Sequence, residues 1–134
     1  MPSTPKLGLH HIRVPVTDPW ASRDWYSEVF GFVPVLDLEE ENEVVGVVLR
    51  HESGITLGLH LDDVRARALR GFAVLGLSVG SSAEMDEWRR QLDQLAVEHS
   101  ELEEGHLGTY LDVPDPDGIV VRLHTGSVPD AEDA

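Results

Sequence analysis

The chain contains no cysteine. Disulfides, thiolate nucleophiles and thiolate metal sites are excluded together, which leaves histidine and carboxylate side chains as the only strong metal ligands. Basic residues are scarce as well, with 10 Lys and Arg against 25 Asp and Glu and a formal net charge of −15. Such a surface repels nucleic acid and acidic membrane leaflets, so neither is expected as a partner. No apolar run approaches the roughly 20 residues of a membrane span, and the N-terminus lacks the charged-then-apolar pattern of a signal peptide. The expected location is the cytoplasm. A glycine-rich phosphate loop is missing, and no serine sits in a recognisable nucleophile elbow.

What is present is ordinary globular composition, 41% hydrophobic and 26% charged over 134 residues. That length supports one core of normal size, so 1–134 is expected to be a single domain. Residues 9–16, LHHIRVPV, alternate: Ile12, Val14 and Val16 share one face of a strand, and His11, Arg13 and Pro15 the other. His10 falls opposite His11, at the expected edge of the core. Asp18 followed by Pro19 supplies an N-cap and a first-turn proline, and Gly31 a stop, which predicts a helix of about three turns. Its predicted core stripe is Ala21, Trp25 and Val29, at i, i+4 and i+8. Three β-like runs follow, Phe32–Leu38, Val44–Leu49 and Ile55–Leu61, separated by the turns EEEN and HESG.

After a linker over 62–70 the pattern begins again. Phe72–Val79 reads as a strand, and Ser81 with Glu84 forms a capping box opening a helix with Met85, Trp88, Leu92 and Leu95 on one face. Strands are predicted near Val97–Glu101, Leu107–Val113 and Ile119–His124, the last two joined by the turn PDPDG; residues 126–134 form an acidic tail. Trp25 recurs as Trp88, Gly54-Ile55 as Gly118-Ile119, and Leu59-His60 as Leu123-His124. Such regularity indicates duplication of a β-α-β-β-β unit. Each unit forms a curved four-stranded sheet with a helix on one face, and pairing two of them encloses a cleft.

The segments HHIRVPVTDPWASRDWYSEVFGF and DVPDPDGIVVRLH resemble the opening and the closing hairpin of a vicinal oxygen chelate module. The first has a histidine on the first strand, an Asp-capped helix, an aromatic pair and Gly-Phe. The second has the DPDG turn before a last strand that in this superfamily carries an acidic ligand. With the repeat, the resemblance covers residues 8–125. It implies an α+β fold of two tandem βαβββ modules, 8–61 and 71–125, forming curved mixed sheets around a cleft, and a homodimer. The superfamily includes glyoxalases, epimerases, ring-cleaving dioxygenases, fosfomycin-inactivating thiol transferases and metal-free proteins that sequester bleomycin-like drugs. Fold alone therefore leaves both an enzyme and a binding protein open.

Enzymatic members hold a divalent metal with side chains from the first and last strands of each module. His11 matches one such position. The other three fall on Val74, Gly58 and Arg122, and none of these can ligate a cation; a guanidinium has no acceptor and repels one. No cofactor is therefore expected. The alternative is a displaced site for zinc, iron, manganese or nickel built from His11, His60 and His124, serving a lyase, isomerase or dioxygenase. The expected ligand-binding residues are His11, Arg13, His60, Ser78, Arg122 and His124, on a wall that also includes Gly58, Val74, Gly76 and Val120. They suit a small organic molecule carrying an anion, with Arg122 leading and Arg13 in support. His51, His99 and His106 fall near turns and are assigned no role.

Overall fold

Each half of the repeat folds as a strand, a helix and three further strands. The structure, a computed structural model, describes residues 4–130; the end of the predicted acidic tail, 131–134, lies outside the described residues. Two units are present, dividing between Asp63 and Val64, inside the segment read as a linker. Among the described residues no helix is long and apolar enough to cross a membrane.

The first unit contains β1 (Ile12–Val16), α1 (Pro19–Phe30), β2 (Val33–Glu40), β3 (Glu43–Arg50) and β4 (Thr56–Leu61). Its mixed sheet runs β1-β4-β3-β2, with β1 parallel to β4 and the other pairs antiparallel. Asp18 starts α1 as the sequence requires, its Oδ1 accepting from the N–H groups of Trp20 and Ala21 at 3.1 and 3.2 Å. Gly31 ends it in the left-handed region, at φ 80°. Helix α1 packs on β2, β3 and β4. Val14, Val16, Val47, Leu49, Leu57 and Leu59 are wholly buried; each such burial stabilises the fold by about 1.5–3 kcal/mol relative to exposure.

The buried stripe of α1 is Pro19, Ser22, Tyr26, Val29 and Phe30; of the predicted Ala21, Trp25 and Val29, Val29 belongs to it and the other two do not. Ala21 is exposed, and Trp25 is half-buried, edge-on to Tyr26 and Phe30 with centroids 4.9 and 5.5 Å away. Tyr26 and Phe30 bring more apolar area inward than Ala21 and Trp25 can together with them, so the helix turns by about one residue, roughly 100°. Between β2 and β3 the turn is tight, with Glu41 and Asn42 both at positive φ, 50° and 66°. This is the mirror-image turn that suits the twist of a two-residue hairpin.

After α2 (Asp63–Ala68), where the chain divides, the second unit contains β5 (Ala73–Ser78), α3 (Ser82–Gln94), β6 (Glu103–Gly105), β7 (Gly108–Pro114) and β8 (Val120–His124). Its sheet runs β5-β8-β7-β6, the same order as the first. Ser81 caps α3, its Oγ accepting from the Glu84 N–H at 3.2 Å. Asp115 staples the DPDG turn: its Oδ1 accepts from the N–H groups of Asp117 and Ile119 at 2.8 and 3.0 Å.

One predicted strand is absent: Val97–Glu101 is irregular, and the edge strand is the shorter Glu103–Gly105. The local bonds explain this. Ala96 takes φ 56°, and the Val97 N–H turns back to the Leu92 carbonyl at 2.9 Å, as at a helix end in the left-handed conformation. His99 is drawn to Asp93 of α3 at 2.7 Å. Ser100 then meets β7 with one backbone bond to the Asp112 carbonyl, while its Oγ accepts the Asp112 N–H. A side chain has taken the place of a ladder carbonyl.

Candidate functional site

In the first unit, the β1–β4 register sets Arg13 beside Gly58, and the β3–β4 register sets His60 opposite Gly46. A Cβ on Gly58 would stand 3.2 Å from His11 Cδ2 and 3.3 Å from His60 Nε2, so both imidazoles share its face of the sheet. His10 does not point away from His11 toward the core. It is exposed, and its Nδ1 lies 2.8 Å from His11 Nδ1, because the strand begins only at Ile12 and alternation does not yet apply.

These residues surround a cavity of about 280 Å³. His10, His11, Arg13 and His60 provide its polar groups, Leu38, Val48 and Thr56 its walls, and Gly58 part of its floor. Among the described residues no carboxylate lines it, in a chain with a formal net charge of −15. The Arg13 guanidinium makes no hydrogen bond or ion pair with any described residue. Burial pushes the His60 pKa down, and the charges of Arg13 and His11 push it further the same way. His60 is accordingly neutral at neutral pH.

In the second unit, Arg122 and His124 project from β8 between the buried Val121 and Leu123, as the period of two predicts. Arg122 lies beside Gly76 and His124 beside Ser78. Across the other ladder Arg122 meets Asp112, donating from Nε to Oδ1 at 2.7 Å and from Nη2 to Oδ2 at 3.1 Å. Its Cζ lies 3.9 Å above the Tyr110 ring, whose hydroxyl donates to Glu103 at 3.3 Å. The bond to Asp112 holds the Arg122 pKa above its usual value. A second cavity of about 290 Å³ is lined by Gly76, Ser78 and His124 together with Leu107 and Val128. His124 Nδ1 is buried and has no hydrogen-bond partner among the described residues.

The two units thus carry the same elements in exchanged places. Arginine stands on the first strand and glycine on the last in one, Arg13 and Gly58; glycine stands on the first and arginine on the last in the other, Gly76 and Arg122. The position of Asp112 is held in the first unit by Val48, which pairs with Gly58. Arg122, on the inner strand β8, therefore has Asp112 directly across a ladder, whereas Arg13, on the edge strand β1, has only Gly58 beside it. With 25 acidic residues in the chain, pairing of each arginine with a nearby Asp or Glu is the other reading of the sequence; for Arg122 it holds, and the hairpin identifies the partner, since the β7–β8 ladder pairs residues equidistant from Asp117 in the turn. His11, Arg13 and His60 come together in the first unit, while Ser78, Arg122 and His124 come together in the second.

The four positions of a superfamily metal centre do not fit a divalent ion. His11 is a competent ligand, but Gly58 has no side chain, Val74 is apolar and sits at a register shift in β5, and Arg122 carries a charge of the ion's own sign. Both oxygens of the nearby Asp112 carboxylate are already engaged by that guanidinium.

Two sheets of order first-last-third-second, each with one long helix, define a duplicated βαβββ protein. The sequence pattern of the Glyoxalase/Bleomycin resistance protein/Dioxygenase superfamily matches residues 8–123, and the chain belongs to that superfamily. No curated protein sequence matches the chain. Among solved structures, a fosfomycin resistance protein, FosX, from Listeria monocytogenes is similar at 19% identity and a TM-score of 0.72, covering 90% of this chain and 92% of its own. Lactoylglutathione lyase from Agrobacterium tumefaciens gives 19% and 0.71, over 92% and 96% of the two chains. TnmS3, an antibiotic binding protein from Streptomyces sp. CB03234, gives 23% and 0.69, over 91% and 100%.

Proposed function

We propose that the protein binds a small organic anion on the first sheet, without a metal of the superfamily's kind. The observation that carries this reading is the cavity around Arg13, which gathers an unpaired guanidinium and three imidazoles with no carboxylate among the described residues that line it, in an acidic chain. An arginine without a partner is a standing site for a carboxylate, which meets its fork with two hydrogen bonds. Apolar walls give room for an organic body. His11 and His60 add donors or acceptors beside the anion. Ser78 and His124 offer a second recess, and Arg122 contributes to binding only as far as Asp112 releases it. The leading role therefore passes from Arg122 to Arg13.

That TnmS3 is an antibiotic binding protein makes small-molecule binding a precedent within this fold. The protein is proposed to act in the cytoplasm as a homodimer. Val33, Val35 and Leu36 on the edge strand β2, 49–59% exposed, are apolar surface that a second subunit would cover. The test of function is calorimetric titration with a panel of small carboxylates, phosphonates and neutral analogues. Binding of acids that Arg13→Ala abolishes and Arg122→Ala spares supports the reading. A panel with no anionic binder, or binding indifferent to Arg13, refutes it.

A further inference from the structure

We infer that the site on the first sheet selects a flat, conjugated carboxylate, such as an aromatic acid, by stacking it on His60. The inference rests on the anion-binding reading above and specifies its ligand. Its basis is the floor of the cavity. Gly46 and Gly58 are both buried and both lie on the face that carries His60, one opposite it across the β3–β4 ladder and one two residues before it. A Cβ on Gly46 would stand 3.5 Å from His60 Nδ1, and one on Gly58 would stand 3.3 Å from Nε2 and 3.5 Å from Cδ2. The two sides of the imidazole therefore occupy the room left by two missing side chains. The ring therefore sits low on the sheet, its Nδ1 edge at one glycine and its Nε2 edge at the other, and it lines the cavity at the same time.

A planar ring that lines the cavity offers a planar surface to its ligand. Leu38 and Val48 bound it with aliphatic walls, and about 280 Å³ holds one or two fused rings and little more. Flat ligands gain contact with the imidazole over their whole face, whereas a puckered ring of equal size touches it at a few hydrogens. Arg13, on the neighbouring strand beside Gly58, is placed at the rim where the carboxylate of such a ligand would project. Gly46 is fixed by its backbone neighbours, since a Cβ there would approach the Leu59 carbonyl oxygen at 2.7 Å. Gly58 is adjustable, because the atoms a Cβ would press are the ends of two movable imidazoles.

The experiment is calorimetric titration of the full chain with benzoate, 2-naphthoate and cyclohexanecarboxylate, for wild type and for Arg13→Ala, His60→Leu, His60→Phe and Gly58→Ala. The aromatic acids are expected to bind about five- to tenfold more tightly than cyclohexanecarboxylate. His60→Leu should abolish that preference, His60→Phe should keep it, and Gly58→Ala should reduce it by lifting the ring. Arg13→Ala should weaken all three acids alike. If the acids bind through Arg13 with no preference for the flat ones, or if His60→Leu keeps the preference, the stacking inference is overturned while the anion site stands. If none of the three acids binds, or Arg13→Ala changes nothing, both fall. Circular dichroism of each variant separates a lost floor from a lost fold.

Discussion

Arg122 and Asp112 face each other across the β7–β8 ladder and share two hydrogen bonds, at 2.7 and 3.1 Å, with Tyr110 beneath the guanidinium. The pair is about one-third exposed on each side, so it is neither fully screened nor fully desolvated. Asp112→Ala should cost about 1–3 kcal/mol in urea denaturation, mostly from leaving a part-buried guanidinium without its acceptor. Arg122→Lys should recover little, since an ammonium cannot meet both carboxylate oxygens at once. A double-mutant cycle reads the coupling directly; a coupling of zero would show the contact to be ornamental.

Arg13 should behave in the opposite way. Having no partner among the described residues, it can be removed at a stability cost within about 0.5 kcal/mol. Affinity for an aromatic acid should nevertheless fall by roughly one to two decades, the worth of a charge-assisted contact. Titration and urea denaturation of the same Arg13→Ala preparation check both halves. A destabilised variant would place Arg13 in the scaffold instead.

His60 and His99 should give stability opposite dependences on pH. The His60 pKa is lowered, by burial first and then by Arg13 and His11, so the stability it supports is complete above about pH 6.5 and declines as pH falls from there through the folded value. The His99 pKa is raised, chiefly by its bond to Asp93 and next by the Ser100 carbonyl. Its contribution is complete below about pH 6.5 and disappears as pH rises through the folded value. Each should amount to less than about 1 kcal/mol, given the solvent around both groups. Denaturation from pH 5 to 9 should show His60→Gln flattening the acid limb and His99→Gln the alkaline one. Unchanged slopes in either variant would refute the corresponding assignment.

The β2–β3 turn holds two non-glycine residues at positive φ. Replacing Glu41 with Asn and Asn42 with Gly matches the residues that adopt this turn most readily and should stabilise the protein by about 0.5–1 kcal/mol. Glu41→Val should destabilise it, since a β-branched residue resists that conformation. Thermal midpoints of the two variants moving in the same direction would contradict the turn geometry.

The parts of the fold visible in the sequence are those set by local chemistry. Asp18, Pro19 and Gly31 bound α1 correctly, Ser81 opens α3, and the alternation of Val121, Arg122, Leu123 and His124 places each on the right side. Where several residues compete for one position, local reading fails. Tyr26 and Phe30 take the core from Trp25, and Ser100 replaces a ladder bond with its own hydroxyl. At the site, the residue types at Arg13, His11 and His60 were legible, because a strand face follows from parity. Which arginine is free was not, because it depends on strand order: Arg122 is on an inner strand with Asp112 across one ladder, while Arg13 is on an edge strand with Gly58 as its ladder neighbour.

The exchange of arginine and glycine between the two units also bears on how a duplicated chain finds its own partners. Similar halves invite the first strand of one to dock against the last strand of the other while folding. Paired in the native register, β1 beside β8 would set Arg13 next to Arg122, two guanidiniums in direct opposition. The complementary error, β5 beside β4, would set Gly76 next to Gly58 and leave a bare strip of backbone where a side chain should cover it. Only the faithful pairings give each arginine a glycine to lie against, and exchanging the strands in this register would set like charges directly opposite, which disfavours that pairing.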